Sequence, residues 1–177
     1  MEVFPLRLQG LIHILPRTFP DERGFFLESY RQPLYEAHGI KTPFVQDNIS
    51  FSKKDTIRAL HFQSDPGQAK LVSCVQGKIW DVAVDIRPHS PTFGQWEAIE
   101  LDAERHNQFF IPVGFAHGYC VLSETAKVLY KVSSIYNPKN ECSLRWNDPD
   151  IAIAWPISSP CLSLRDQTSP FFKEIFP

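Results

Sequence analysis

The chain has 177 residues, 43% of them hydrophobic, which is enough to fill one core of ordinary size and excludes a disordered chain. Twenty acidic and 18 basic residues leave a net charge of −2 with no run of one sign, so bulk attraction to nucleic acid or to an anionic membrane is excluded. Four scattered cysteines without a CxxC pair, and an N-terminus without a long apolar segment, predict reduced thiols and a cytoplasmic protein that is not exported.

Short runs of aromatic and β-branched residues are broken at short intervals by Pro, Gly, Asn-Pro or Asp-Pro. This pattern predicts an all-β sandwich or barrel. One helix is predicted over residues 31–38, ended by Gly39 in a left-handed cap, and a second short helix near the C-terminus. No linker or repeat divides the chain, so residues 1–177 are expected to form a single domain.

Alternation along a strand predicts which side chains share a face. In residues 79–86, the apolar side chains point one way while Asp81 and Asp85 point the other, which predicts a half-buried strand. Strict alternation also groups four polar side chains with apolar neighbours: His61 with Ile57 and Ala59, Lys70 with Val72 and Cys74, His117 with Phe115 and Tyr119, and Tyr130 with Val128 and Val132.

Each of these polar side chains alone is most simply a core residue with a hydrogen-bond partner. The convergence of a histidine, a lysine and a tyrosine from different strands weakens that interpretation. An inward-facing lysine such as Lys70 is the most costly, because a desolvated ammonium group needs an anion or must lose its proton. A cavity for an anionic or carbonyl-bearing ligand would remove that cost.

A series of motifs runs through most of the chain. In order they are RALHFQ (58–63), QAKLV (68–72), GKIWDV (77–82), DIR (85–87), SPTFG (90–94), IPVGFAHG (111–118), YNP (136–138) with Glu141, WNDP (146–149), and LS (162–163) ahead of Asp166. In sequence and spacing these motifs resemble the dTDP-4-dehydrorhamnose 3,5-epimerase family of cupins.

The resemblance implies an all-β cupin fold, a jelly-roll barrel with a few short helices, whose interior holds a small ligand. It also implies a homodimer with strand exchange near the N-terminus, in which four residues line the partner's pocket: Phe19, Arg23, Phe26 and Glu28. Without the resemblance, that segment would be interpreted as an amphipathic edge strand with solvated charges.

Metal-binding cupins carry two histidines separated by one residue, then a carboxylate and a later histidine. Here His61 and His117 stand at the first and last positions, but Gln63 replaces the second histidine and Lys70 lies near the position of the acid. A lysine beside two imidazoles repels a dication. We therefore predict no metal, with Lys70 as a tethered cation in its place.

The implied substrate is dTDP-4-keto-6-deoxyglucose, whose carbonyl acidifies the C–H bonds at C3 and C5, so inversion needs no redox cofactor. The resemblance pairs His61, as the base, with Asp166, which fixes its tautomer. Tyr130 is expected to return a proton to the opposite face of the sugar. Lys70, helped by His117, is expected to stabilise the enolate.

The diphosphate and thymidine call for arginines and for aromatic or amide platforms. Arg23 and Arg58 match family positions for this task, and Arg165 stands where the family often has lysine. The resemblance assigns nucleotide contacts to Gln46, Asp47, Asn48, Glu28 and Glu141. Phe26 and Tyr136, together with Phe19, are candidates for packing on the base or sugar and are equally well interpreted as core residues.

Two features depart from a simple match. Ala59 stands where the family usually has glycine, and its methyl group would either crowd the sugar or be absorbed by packing; we expect retained activity. Alternation also places Arg58 opposite His61, so both can contact one ligand only if the strand bulges or if Arg58 reaches around the rim.

Two other classes of function remain open from the sequence. The same base would serve an enzyme that inverts only C3 or only C5, or a ketoisomerase of a related cupin type. A cupin that binds a sugar nucleotide without turnover is the alternative outside enzymes, although such a module has no need of His61, Tyr130 and Asp166 together.

Overall fold

The structure is a computed structural model that describes residues 1–177, with thirteen strands and three short helices. The strands are β1 (Glu2–Pro5), β2 (Ile12–Leu15), β3 (Thr18–Asp21), β4 (Gly24–Leu27), β5 (Gln46–Lys53), β6 (Ile57–Gln63), β7 (Lys70–Gln76), β8 (Lys78–Asp85), β9 (Trp96–Asp102), β10 (Gln108–Ile111), β11 (Phe115–Val121), β12 (Thr125–Val132) and β13 (Glu141–Ser143). The helices are α1 (Gln32–Ala37), α2 (Leu164–Thr168) and α3 (Phe172–Ile175).

The strands form two antiparallel sheets and a separate hairpin. The six-stranded sheet has the order β1-β2-β10-β7-β12-β5, and the five-stranded sheet has the order β13-β6-β11-β8-β9. Strands β3 and β4 pair only with each other. Neighbours in each sheet are mostly distant in sequence, which is typical of the crossing connections of a jelly roll. The predicted all-β barrel is confirmed.

The main core lies between the two sheets. It is a cluster of 14 buried residues to which both sheets contribute, for example Val72 and Val128 from the six-stranded sheet and Ile79 and Phe115 from the five-stranded sheet. The predicted inward faces of β7, β11 and β12 are therefore correct. Lys70, His117 and Tyr130 share these faces, so each points into the space between the sheets.

A second core covers the outer face of the five-stranded sheet, where the C-terminal segment packs. Val82 and Val84 of β8 contact this core, which also contains Phe172 of α3. Consequently β8 is buried on both faces, and the prediction of a half-buried strand is wrong. Its carboxylates, Asp81 and Asp85, are 0% exposed, because the face opposite the apolar one is the barrel interior and not solvent.

The helices agree with the sequence prediction. Helix α1 begins after Arg31, has a proline in its first turn and is followed by Gly39 with φ of +89°, in the left-handed region that favours glycine. It packs Tyr35 onto the outer face of the six-stranded sheet. Helices α2 and α3 lie in the C-terminal segment, and no helix is long and apolar enough to cross a bilayer.

Strand β6 contains a bulge where it pairs with β11. His61 lies opposite His117, and Arg58 lies opposite Tyr119, so two residues of β6 face the single residue Gly118. The two residues that face Gly118, Ala59 and Leu60, are fully buried in the second core. The bulge reverses the alternation, so His61 does not share a face with Ala59, contrary to the prediction.

Candidate active site

A polar cavity of about 440 Å³ lies at the inner face of both sheets. It brings together most of the residues that the sequence predicted: His61, Tyr130, Asp166, Lys70, Gln46, Asn48, Arg58, His117, Tyr136, Glu141 and Arg165. These residues come from six strands, the loop before β13 and helix α2, so only the folded barrel assembles them. The volume is in the range of small-molecule sites.

His61 and Asp166 form a hydrogen-bonded pair. The Nε2 atom of His61 lies 2.7 Å from Oδ1 of Asp166, which is 3% exposed. Asp166 is fixed in the first turn of α2, where its backbone N–H donates to the Oγ of Ser163, the N-cap residue. A carboxylate at Nε2 favours the tautomer that is protonated there, so Nδ1 is left as the basic nitrogen.

A second histidine–carboxylate pair lies directly across from the first. His117 is the register partner of His61, and its Nε2 lies 2.9 and 3.0 Å from the two carboxylate oxygens of Asp81. Burial raises the pKa of Asp81, and the nearby His117 and Lys70 act in the opposite direction. Asp81 is therefore a buried acid whose charge depends on these two neighbours.

Lys70 points into the cavity from the first position of β7. The residue is 6% exposed. Burial lowers the pKa of Lys70 to about 8, while Asp81 and Glu141 limit the decrease. At neutral pH the group is still a cation, and in a desolvated site it is suited to stabilise an anionic oxygen.

Tyr130 enters the cavity from β12, with Asn48 and Val72 as its register partners. Burial raises the pKa of its phenol, the neighbouring Tyr119 adds to the increase, and Arg58 opposes it. Tyr130 is therefore protonated at neutral pH and can donate a proton, and Arg58 is the nearby cation that favours its ionised form.

Three residues form a cluster in which Glu141 is the shared acceptor. Its Oε2 accepts from the Tyr136 hydroxyl at 2.7 Å and lies 2.7 Å from Nη1 of Arg165. Burial alone would raise the pKa of Glu141, but the hydrogen bonds from Tyr136 and Arg165 lower it overall. This cluster connects the loop before β13 to helix α2, which carries Asp166.

Arg58 is held in place by the edge strand β5. Its Nε donates to the Oγ of Ser52 at 2.9 Å and one Nη donates to the carbonyl oxygen of Phe51 at 3.2 Å. Tyr119 supports the same strand through a 2.9 Å hydrogen bond between its hydroxyl and Ser50 Oγ. The bulge in β6 thus resolves the conflict in the alternation and allows Arg58 and His61 to line one cavity.

Ala59 does not line the cavity. Its side chain is 0% exposed and belongs to the second core, on the opposite side of β6 from His61. Of the two outcomes considered for its methyl group, absorption by packing is the one that the structure shows.

Four of the predicted substrate-binding residues do not line the cavity of this chain. Asp47 alternates with Gln46 and Asn48, so its carboxylate lies on the opposite face of the sheet, 2.9 Å from the ammonium group of Lys131. The other three, Arg23, Phe26 and Glu28, lie on or just after the β3–β4 hairpin, as does Phe19. There Arg23 pairs with Asp21 and Glu28 with Arg31.

Several lining residues were not predicted as site residues: Ser50, Phe62, Gln63, Gln68, Tyr119 and Ser163, with Asp81 behind His117. For most of them alternation was the available signal. Gln63 and Gln68 are each two residues from a predicted site residue, and so are Ser50 and Tyr119.

No group of three or more His, Cys, Asp or Glu side chains is arranged to hold a metal ion. The two imidazoles of the cavity, those of His61 and His117, each have a carboxylate at Nε2 instead, and Lys70 places a cation in the same cavity. The absence of a metal and of a cofactor remains a prediction. All four cysteines are free.

Residues 5–174 match the sequence profile of the dTDP-4-dehydrorhamnose 3,5-epimerase family. The chain belongs to this family. A dTDP-4-dehydrorhamnose 3,5-epimerase from Salmonella typhimurium is 49% identical over 177 residues, which cover 98% of this chain and 97% of the relative. The crystal structure of a dTDP-6-deoxy-D-glucose-3,5-epimerase from Legionella pneumophila, in complex with dTDP-4-keto-L-rhamnose, has a TM-score of 0.95 and 45% identity and covers 98% of this chain and 94% of that one.

A relative of different regiochemistry is more distant. The dTDP-4-dehydrorhamnose 3-epimerase of Streptomyces niveus is 40% identical over 169 residues, covering 94% of this chain and 82% of the relative. The dTDP-4-dehydrorhamnose 3,5-epimerase family assignment makes this chain an isomerase with a cupin jelly-roll fold.

Proposed function

We propose that this cavity inverts C3 and C5 of dTDP-4-dehydro-6-deoxy-D-glucose to give dTDP-4-dehydro-L-rhamnose, with His61 as base and Tyr130 as acid. The observation that carries the proposal is the arrangement of one cavity. A carboxylate-bound imidazole, a buried ammonium group and a protonated phenol come from strands of two opposing sheets. These are the groups that proton exchange next to a ketone requires.

Each inversion is a pair of proton transfers. Nδ1 of His61 removes the proton from C3 or C5, and the electron pair of the broken C–H bond moves to the C4 carbonyl oxygen, forming an enolate. Lys70 stabilises that oxygen, with His117 beside it. Tyr130 then delivers its proton to the opposite face of the same carbon and becomes a phenolate. Transfer of a proton from the imidazolium of His61 to the phenolate through solvent restores both groups.

The diphosphate and thymidine occupy the polar remainder of the cavity. Arg58 and Arg165 are the cations available to the diphosphate. Tyr136 offers an exposed ring for stacking. Its backbone N–H donates to Gln46 Oε1 at 3.0 Å, and Gln46 Nε2 in turn donates to Asn48 Oδ1 at 2.7 Å. Glu141 lines the same part of the cavity and holds Tyr136 and Arg165 in place through its carboxylate.

We also propose that the active unit is a homodimer in which the β3–β4 hairpin enters the partner's cavity. The hairpin exposes Phe19, Phe25 and Phe26 at 45%, 58% and 65%. The outer face of the six-stranded sheet is also apolar, with Ile49 and Phe51 of β5 exposed at 67% and 51%. Exposed apolar surfaces of this kind mark interaction sites, and a two-fold dimer would cover these surfaces on both protomers.

A cytoplasmic location is consistent with four free thiols.

Proton NMR in deuterated water tests the reaction. Wild-type protein incubated with dTDP-4-keto-6-deoxyglucose is expected to place deuterium at C3 and C5, and a reductase should trap the product as the L-rhamnose nucleotide. His61→Ala should abolish exchange at both carbons, whereas Tyr130→Phe should allow exchange without full inversion. Exchange at one carbon alone would make the chain a single-site epimerase, and binding of dTDP without any exchange would make it a non-catalytic cupin.

Mixed dimers test the exchange of the hairpin. Arg23→Ala and His61→Ala proteins, each inactive alone, are denatured together and refolded in equal amounts. If the hairpin serves the partner's cavity, a mixed dimer contains one site with both residues intact, and the mixture regains about a quarter of wild-type activity. If the hairpin serves its own chain, no site is intact and the mixture remains inactive.

A further inference from the structure

Gln63 carries an amide donor that has no role in the chemistry described above. The residue is 7% exposed and lines the cavity on the same face of β6 as His61, two positions after it. Its Oε1 accepts a long hydrogen bond of 3.4 Å from the backbone N–H of Asn137. That bond fixes the orientation of the amide and leaves Nε2 without a protein partner.

An amide donor on a residue this deeply buried costs free energy unless an acceptor forms a hydrogen bond with it. Gln68, the other glutamine of the cavity, differs in this respect, because its Nε2 donates to the carbonyl oxygen of Ser134 at 3.0 Å. No fully enclosed side-chain polar atom of the protein lacks a partner, so Nε2 of Gln63 opens onto the cavity. Water accepts from this donor in the free protein, and when the substrate fills the cavity and displaces that water, a group of the substrate has to replace it.

The chemistry of the substrate limits which acceptor this is. In the proposed function, on which this inference rests, the C4 oxygen belongs to Lys70 and His117, and the C1 oxygen carries the diphosphate. The hydroxyl on C3 changes its orientation during the reaction, so a fixed donor cannot hold it in both substrate and product. The hydroxyl on C2 keeps its configuration throughout, and a rigid donor can hold it while C3 and C5 invert.

We propose that Nε2 of Gln63 donates a hydrogen bond to the C2 hydroxyl oxygen of the hexose and makes the enzyme specific for sugars that carry this hydroxyl. A site built to pair with a hydroxyl rejects the analogue that lacks it, because the buried donor is then left without a partner. Gln63 is thus a specificity residue that keeps the ring in one position during two successive inversions.

The test compares deuterium exchange at C5 for dTDP-4-keto-6-deoxyglucose and for its 2-deoxy analogue. The wild type is expected to prefer the 2-hydroxy substrate in kcat/KM by about 10- to 100-fold. Gln63→Leu should reduce this preference to about twofold or less. Gln63→Glu keeps an oxygen for the Asn137 N–H, loses the donor when ionised, and should lose the preference as well.

The ratio of the two substrates within one variant separates specificity from folding, because a distorted site slows both substrates equally. Gln68→Leu is the matched control, and it should keep the wild-type ratio because the Nε2 of Gln68 is already occupied. A wild-type ratio near one, or a ratio that Gln63→Leu leaves unchanged, would overturn the inference while the epimerase function stands. Absence of exchange with either substrate in the wild type would overturn both.

Discussion

The side chain of Ala59 packs directly against Gly118 across strands β6 and β11, at the bulge that brings Arg58 and His61 to one cavity. A Cβ atom on Gly118 would collide with Cβ of Ala59 and would lie 2.9 Å from both the Cα of Ala59 and the carbonyl oxygen of Arg58. Real Cβ atoms do not approach backbone this closely. Gly118 is therefore required for the close approach of the two strands and not for a special backbone conformation.

Gly118→Ala should displace β6 and, with it, His61. We expect a loss of about 1–3 kcal/mol in the free energy of unfolding, as for other overpacked sites, and a fall in kcat of at least about tenfold. Adding Ala59→Gly to this variant should restore only part of the stability and part of kcat, because the close contacts to Cα of residue 59 and to the Arg58 carbonyl remain. Denaturant unfolding and steady-state kinetics measure the two effects. Wild-type values for Gly118→Ala would show that the bulge does not position the base.

Ala59→Gly alone should change stability but not catalysis. The methyl group lies in the second core, so its removal costs about 1 kcal/mol from lost burial and from the greater backbone freedom of glycine. Because this side chain faces away from the cavity, kcat/KM should stay within about twofold of wild type. A large gain in kcat/KM, measured on the natural substrate, would instead mean that the methyl group crowds the sugar.

Asp166→Asn should lower kcat by about 100-fold with little change in KM. The asparagine keeps the size of the side chain but removes the charge that supports the imidazolium of His61 and can turn its amide nitrogen toward Nε2. Ser163→Ala is the control for position alone. It removes the cap of α2 at a cost of about 1 kcal/mol in stability and should lower kcat far less. Equal losses in the two variants would assign Asp166 a purely structural role.

The sequence predicted the fold and most of the cavity because alternation and motif spacing are local properties. It predicted the faces of Lys70, His117 and Tyr130 correctly for that reason. The placement of Asp81 failed, because the burial of both faces of β8 depends on a C-terminal segment that packs more than sixty residues later in the chain. The bulge at Ala59 likewise depends on the pairing of β6 with β11, so the sequence of β6 alone does not predict it.

Asp81→Asn should shift the alkaline limb of the pH profile to lower pH. The carboxylate of Asp81 is the first of the charges that raise the pKa of Lys70 against its burial, so removing it brings that pKa below about 8. Lys70 must be a cation to stabilise the enolate, so activity is lost as pH rises through its pKa. The measurement is kcat/KM between pH 6 and pH 10. Asp102→Asn, which removes a carboxylate paired with Lys78 outside the cavity, should leave the limb in place; an equal shift in both variants would contradict the role of Asp81.

Lys70→Met should inactivate the enzyme and stabilise the fold at neutral pH. The pKa of Lys70 is about 8 in the folded protein against 10.5 for the free side chain, so the unfolded chain binds more protons between these values and wild-type stability rises with pH across that window. Below about pH 8 the folded protein bears the full cost of the buried charge, on the order of 3 kcal/mol. Methionine of similar volume removes this cost, so the variant's advantage in the free energy of unfolding should be largest at pH 7 and should shrink as pH rises toward 10.5. Denaturant unfolding at several pH values measures it, and an advantage that does not change with pH would mean that packing, and not the buried charge, sets the stability at this position.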